Sequence, residues 1–144
     1  MLKRDDAVTI IDAALHEGRA RNLAPLAVAV LDPGGHLIAY QREDGAGIIR
    51  FDIAFGKAWG SLGMGFGSRE LSHRAGALPT FFTMLSATSG GRLVASPGGV
   101  LVRGRHREVL GAVGISGDLG DNDEACAIAG IVAAGFQTDE TSQA

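Results

Sequence analysis

Residues 26–42 read LAVAVLDPGGHLIAYQR. Leu26 to Leu31 is an unbroken apolar run carrying two valines, too short for a helix and suited to a strand buried on both faces. Asp32-Pro33-Gly34-Gly35 follows as a turn, because Pro presets φ and Gly accepts positive φ. The next run, His36 to Arg42, then pairs back on the first. An antiparallel hairpin is therefore the seed from which the rest of the sheet is read.

Upstream, Asp5 or Asp6 is placed to cap a helix whose apolar face is Ala7, Ile10, Ile11, Ala14 and Leu15, ended by Asn22 and Pro25. Downstream, Glu43 to Gly47 is a polar loop. Phe51, Ala54, Phe55, Ala58, Trp59 and Leu62 then recur at helical spacing and predict a stripe facing the sheet. The opposite side carries Asp52, Gly56, Gly60 and Gly63. Glycine costs about 1 kcal/mol against alanine in an exposed helix. Gly56 and Gly60 therefore predict close approach of another backbone, taken as the partner helix of a homo-oligomer. Alternating glycines from Gly63 to Gly67 end this helix, a short one fits Ser68 to Arg74, and Pro79 opens another through about Ser86. Gly90-Gly91 breaks the chain, with a short strand allowed at Arg92 to Ala95. Val100 to Arg103 and Val109 to Ser116 read as a second hairpin. Asp121 and Glu124 have capping-box spacing for a last helix through roughly Gly135, and the tail from Gln137 is polar and expected to fray. Hairpins with helices on both faces predict one α/β (α+β) domain over 1–144, in three layers with a mostly antiparallel sheet.

Composition narrows the function. Of 144 residues 46% are hydrophobic and 20% charged, which suits one globular core and opposes disorder. Glycine supplies 22 residues with only four prolines and no triplet period, so the chain is not collagen-like. The formal charge of -3 and a basic cluster limited to Arg103, Arg105, His106 and Arg107 argue against general nucleic-acid binding. No apolar stretch reaches the 18 or so residues of a membrane span, and Met1 to Asp6 lacks the apolar segment of a signal peptide. A single cysteine, Cys126, fits a reducing compartment, so the cytoplasm is expected.

The four histidines lack zinc-site spacing, and no metal centre is expected. His16 and His73 are each a candidate haem axial ligand or a plain surface histidine. Lys57 is placed on the polar face of its helix among small neighbours, either solvated or anchoring a carboxylate. Gly98 and Gly99, which lead into a strand, are candidates for amides facing a ligand, or a simple turn. Ser116 ends a strand but has no GxSxG context, so it is a contact residue rather than a nucleophile. Phe81 and Phe82, with Trp59, Met64, Phe66 and Met84, either line a flat apolar pocket or form core.

Residues 27–39, AVAVLDPGGHLIA, followed by Arg42, Asp44, Gly45 and Ala46, resemble the opening of the GlcG/HbpS-like family, which includes the C-terminal domain of PduO-type proteins. Residues 53–58 are similar to its Lys-Ala helix, Ser96 to Val100 to its glycine turn, and Val109 to Gly117 with Asp123, Glu124 and Ala127 to its ending. The resemblance runs from about Ala7 to Gly135. It implies a profilin-like fold, homo-oligomers from dimer to octamer, and small-molecule ligands, with haem among them. Leu101 stands where that turn continues with proline, the stretch Gly63 to Pro79 is longer, and no ExxE iron motif occurs, so no ligand residue is carried over. The leading expectation is a haem- or small-molecule-binding oligomer. The alternative is an enzyme, or an accessory to one, acting on a small organic acid in a catabolic pathway. Lys57 would then be the anchor and His73 or Asp44 the acid/base.

Overall fold

The computed structural model describes residues 1–140. The first helix, α1 (Arg4–Ala20), leads into β1 (Ala27–Leu31) and β2 (Leu37–Arg42). Three helices follow: α2 (Arg50–Met64), α3 (Ser68–Ala77) and α4 (Pro79–Thr88). The chain then returns through β3 (Gly99–Arg103) and β4 (Val109–Ser116) to α5 (Gly120–Ala133). The sheet order is β2-β1-β4-β3, and every pairing is antiparallel. α1 and α5 cover one face, where Ile10, Leu26, Val28, Val30, Val113 and Ile131 form the larger core. On the other face α2 covers Ala29, Leu31, Leu101 and Ala112. The expected three-layer α+β architecture is observed, with the 68–74 helix extended to Ala77.

Local chemistry explains most boundaries. Asp32 Oδ1 accepts the amides of Gly34 and His36 at 2.9 and 3.0 Å, fixing the first hairpin turn. Asn22 adopts φ 57° just past α1, and Gly65 caps α2 in the left-handed region. Asp6 does not cap α1 as its first residue. It sits one turn in, where its carboxylate accepts the Lys3 amide at 3.0 Å. The segment Arg92 to Ala95 is not a strand.

The expected stripe of α2 faces the sheet through Ala54 and Ala58, with Phe55, Trp59 and Leu62 at the edge of the same core, but the helix is rotated so that Lys57 and Ser61 are buried too. Its sheet-facing side is Ala54, Lys57, Ala58 and Ser61, all buried, while Phe51, Phe55, Trp59 and Leu62 are only half-buried along its flank. The cause is a saddle in the sheet. Gly99 and Gly114 are cross-strand partners, and a Cβ on either would collide with α2 backbone, at the carbonyls of Lys57 and Ala54. Small residues on both sides let the helix lie lower than a bulky stripe allows. Gly56 and Gly60 do meet close neighbours, but within the same chain. A Cβ on Gly56 would strike the Arg92 carbonyl and Val94, and one on Gly60 would meet Leu93 and Leu71. These glycines therefore seat residues 92–95 rather than a partner helix.

The tail is better held than expected. Arg103 and Gln137 exchange backbone hydrogen bonds at 2.8 and 3.0 Å, Thr138 is buried, and Asp139 pairs with Arg103 and Arg107. At the other end of β3 the Ser68 hydroxyl accepts the Gly99 amide at 2.6 Å. Expected fraying beyond Glu140 lies outside the described residues. No helix among the described residues is long and apolar enough to cross a membrane.

Gly114→Ala is expected to cost at least about 2 kcal/mol, because the added methyl meets backbone that cannot rotate away. Urea unfolding measures this, and an unchanged midpoint would contradict the saddle. A second expectation concerns Cys126, buried between α5 and α1, where burial pushes the thiol pKa from 9.0 up to about 11. The unfolded chain then loses the proton first. The stabilisation is complete below pH 9.0 and lost as pH rises through about 11. Relative to Cys126→Ala, the wild type should lose roughly 2–3 kcal/mol over that interval. At pH 8 the folded protein should resist Ellman's reagent.

Candidate functional site

Four of the six residues expected at a ligand site converge, around the ammonium of Lys57. Its Nζ donates to the Ile115 carbonyl at 2.8 Å and lies 3.2 Å from Asp123 Oδ2, with 3% and 1% of the two side chains exposed. A Cβ on Gly98 would come within 2.7 Å of that nitrogen, and Gly99 lies under the Lys57 backbone. Asp123 also accepts the Asp118 amide at 3.0 Å. Ser116, next to Ile115, is buried and accepts a hydrogen bond from Arg50 Nη1 at 3.1 Å. Burial drives the Lys57 pKa down and the Asp123 pKa up, while their mutual attraction pulls each back toward the charged form. The cluster joins α2, β4 and α5 from within. Lys57 thus turns inward instead of lying on a solvated helix face, and its charge is already answered by Asp123.

The expected capping box at Asp121 and Glu124 does not form. Arg69 Nε reaches both Glu124 oxygens at 3.0 Å, and its Nη2 binds Asp121, so these acids hold α3 against α5. The α5 N-terminus is served by Asp118, whose Oδ1 accepts the Leu119 amide at 2.9 Å and the Asn122 side chain at 2.7 Å.

The remaining candidates lie at the surface, apart from this cluster. His16 is exposed on α1, three residues before Arg19 and therefore beside it. His73 is exposed on α3. Neither imidazole has a hydrogen-bond or ion-pair partner among the described residues. Phe82 is 7% exposed and Phe81 43%, packed edge to face at 5.8 Å. Phe82 lines an open cleft of about 690 Å³ with Ala75, Pro79, Leu93 and Ala95, which Phe81 does not reach. The expected flat aromatic pocket is not assembled: Arg92 covers the Trp59 ring at 4.6 Å and Arg74 covers Phe66 at 4.2 Å. A second open cleft of about 530 Å³ runs between α1 and β2, lined by Leu15, Arg19, Pro25, Gln41, Arg42 and Asp44. It holds Asp44 but neither Lys57 nor His73, so the three groups expected of an acid-processing enzyme do not share it. Among the described residues no three His, Cys, Asp or Glu side chains gather as a metal site. Arg42, which carries part of the family resemblance, and Tyr40 are not site candidates in the sequence. Period-two spacing on β2 was the available signal, since it places both on one face.

The fold is thus a sheet covered by helices on both faces, with open clefts at its surface. The chain belongs to the HbpS-like family, described as haem-degrading protein HbpS-like, which it matches over residues 2–132. An uncharacterised 15.0 kDa protein from the dhaT-dhaS intergenic region of Citrobacter freundii is 31% identical over 101 residues, covering 69% of this chain and 68% of that protein. The solved PduOC:heme complex superimposes with a TM-score of 0.85 at 25% identity, over 95% of this chain and 97% of that one. A doubly substituted HbpS from Streptomyces reticuli gives 0.79 at 26% identity, over 93% and 87% of the two chains.

Removing one partner of a buried ion pair leaves the other uncompensated. Lys57→Met is expected to cost about 3–5 kcal/mol in denaturant unfolding, with much of the loss recovered in Lys57→Met/Asp123→Leu. A change within about 0.5 kcal/mol would return Lys57 to the surface role expected from sequence.

Proposed function

We propose that this chain binds a haem-type tetrapyrrole through His16, at a surface closed by a second copy of the chain. The observation that carries this reading is the His16 imidazole, which stands exposed and unengaged on the outer face of α1. Its support is a rigid platform: a 17-residue helix packed along the sheet and α5. Beside it the cleft between α1 and β2 offers the apolar side chain of Leu15 and the cations of Arg19 and Arg42. A neutral imidazole nitrogen is an ordinary axial ligand, and the apolar wall suits a macrocycle edge. Arg19 is partly committed to Glu43, at 2.8 Å, so it serves a ligand carboxylate less freely than an unpaired arginine would.

The need for a second copy follows from shape. A bound ligand of this size has most of its surface buried, whereas this cleft and the one beside α4 are both open. One chain therefore covers one face of the macrocycle, and an isologous contact covers the other. Haem, when bound, supplies a redox-active iron. His16 would hold the iron, and Leu15 would seat the edge of the macrocycle. The heme-bound state of the similar PduOC structure and the description of the family support this choice over other planar ligands.

Hemin titration should give a saturable Soret change. His16→Ala should weaken binding at least about tenfold, the scale of a lost ligand or supporting group at a metal. His73→Ala should leave it unchanged, and light scattering should show hemin bound to an oligomer. A linear, unsaturable titration, or one that His16→Ala leaves intact, would overturn the assignment.

A further inference from the structure

On the α2 side of the sheet, the edge strand β2 forms a second and smaller recess. Tyr40 and Arg42 are two residues apart, so they leave the strand on the same face. Tyr40 meets Phe51 of α2 edge-on, with ring centroids 4.7 Å apart. Together with Ala46, Gly47 and Ile48 of the loop entering α2, these residues enclose about 330 Å³. This is the low end of the range for small-molecule sites.

The polar groups of this recess are unspent. Arg42, like Arg50, Arg92 and Arg105, has no acid within ion-pair distance among the described residues, but Arg50 donates to Ser116 and Arg92 covers Trp59, whereas the Arg42 guanidinium has no such contact among them. The Tyr40 hydroxyl likewise has no hydrogen-bond partner among them. Both side chains line the same recess, and burial raises the Tyr40 phenol pKa against the opposing pull of Arg42, so the hydroxyl stays a donor at neutral pH. Asp52 also acts on Tyr40, raising its pKa, so the local field carries one cation offset by a neighbouring carboxylate. A doubly charged phosphate is poorly matched there. A single carboxylate suits the flat two-pronged guanidinium and the phenol donor. The Phe51 ring and the side chain of Ile48, itself fully exposed, suit a flat apolar body.

We propose that this recess binds a small monocarboxylate with a planar apolar body, of the size of benzoate. Arg42 supplies the fork to the carboxylate, Tyr40 adds a hydrogen bond, and Phe51 packs on the body. The site is independent of the haem reading: Arg42 borders both surfaces, but His16 lies on the α1 side of the sheet.

The test uses the whole chain, labelled with nitrogen-15 and titrated with benzoate, with benzyl alcohol as its uncharged counterpart. Saturable shifts are expected at the amides of Gly47 and Phe51, with benzyl alcohol at least about tenfold weaker. Arg42→Gln should weaken benzoate about tenfold or more, Arg42→Lys less, and Tyr40→Phe about threefold. His16→Ala should bind benzoate as the wild type does, which separates this outcome from the fate of hemin binding. Absence of saturation up to about 10 mM, equal binding of benzyl alcohol, or an unaltered affinity in well-folded Arg42→Gln would overturn the proposal.

Discussion

The close seating of α2 on the Gly99–Gly114 saddle governs the rest of the molecule. With no Cβ on either glycine, the helix backbone descends onto the centre of the sheet. That descent carries Lys57 beneath the surface, because its position on the helix is the one pressed against β4. A buried ammonium needs an opposite charge and further acceptors, and the chain supplies Asp123 from α5 and the carbonyl of Ile115. Two helices on opposite faces of the sheet are thereby tied through one polar contact at the end of β4.

Much of the framework could be read from the sequence, for a local reason. The first hairpin, the end of α2 and the start of α4 depend on residues adjacent in the chain: Asp32 to Gly35, Gly65, and Pro79. The misread features all depend on distant partners. Phe51, Phe55, Trp59 and Leu62 outweigh Ala54, Ala58 and Ser61 in hydrophobicity, yet closeness of approach decided the buried face. Gly56 and Gly60 announced a near neighbour without saying that it is residues 92–95. Asp121 and Glu124 had capping spacing, but Arg69, more than fifty residues away in sequence, claims both.

The candidate sites show the same division. Lys57, Gly98, Gly99 and Ser116 each stand out in the sequence as a candidate for ligand contact, and in the structure they meet one another. Their meeting serves the interior. Oddness in sequence marks a constraint, and only the structure says whether that constraint is met by the chain or left for a ligand. Arg42 illustrates the converse. An arginine at a strand end gains meaning only when the structure shows a phenol and an aromatic ring lining the same recess.

The two outer strands are treated differently. β3 has its outward edge occupied at both ends, by the Ser68 hydroxyl at Gly99 and by Gln137 at Arg103. A foreign strand approaching that side finds the ladder already closed at its first and last rungs, which discourages the open-ended stacking that leads to fibres. β2 carries no comparable cover among the described residues, so polymerisation by strand addition, where it occurs, has one side of the sheet from which to begin.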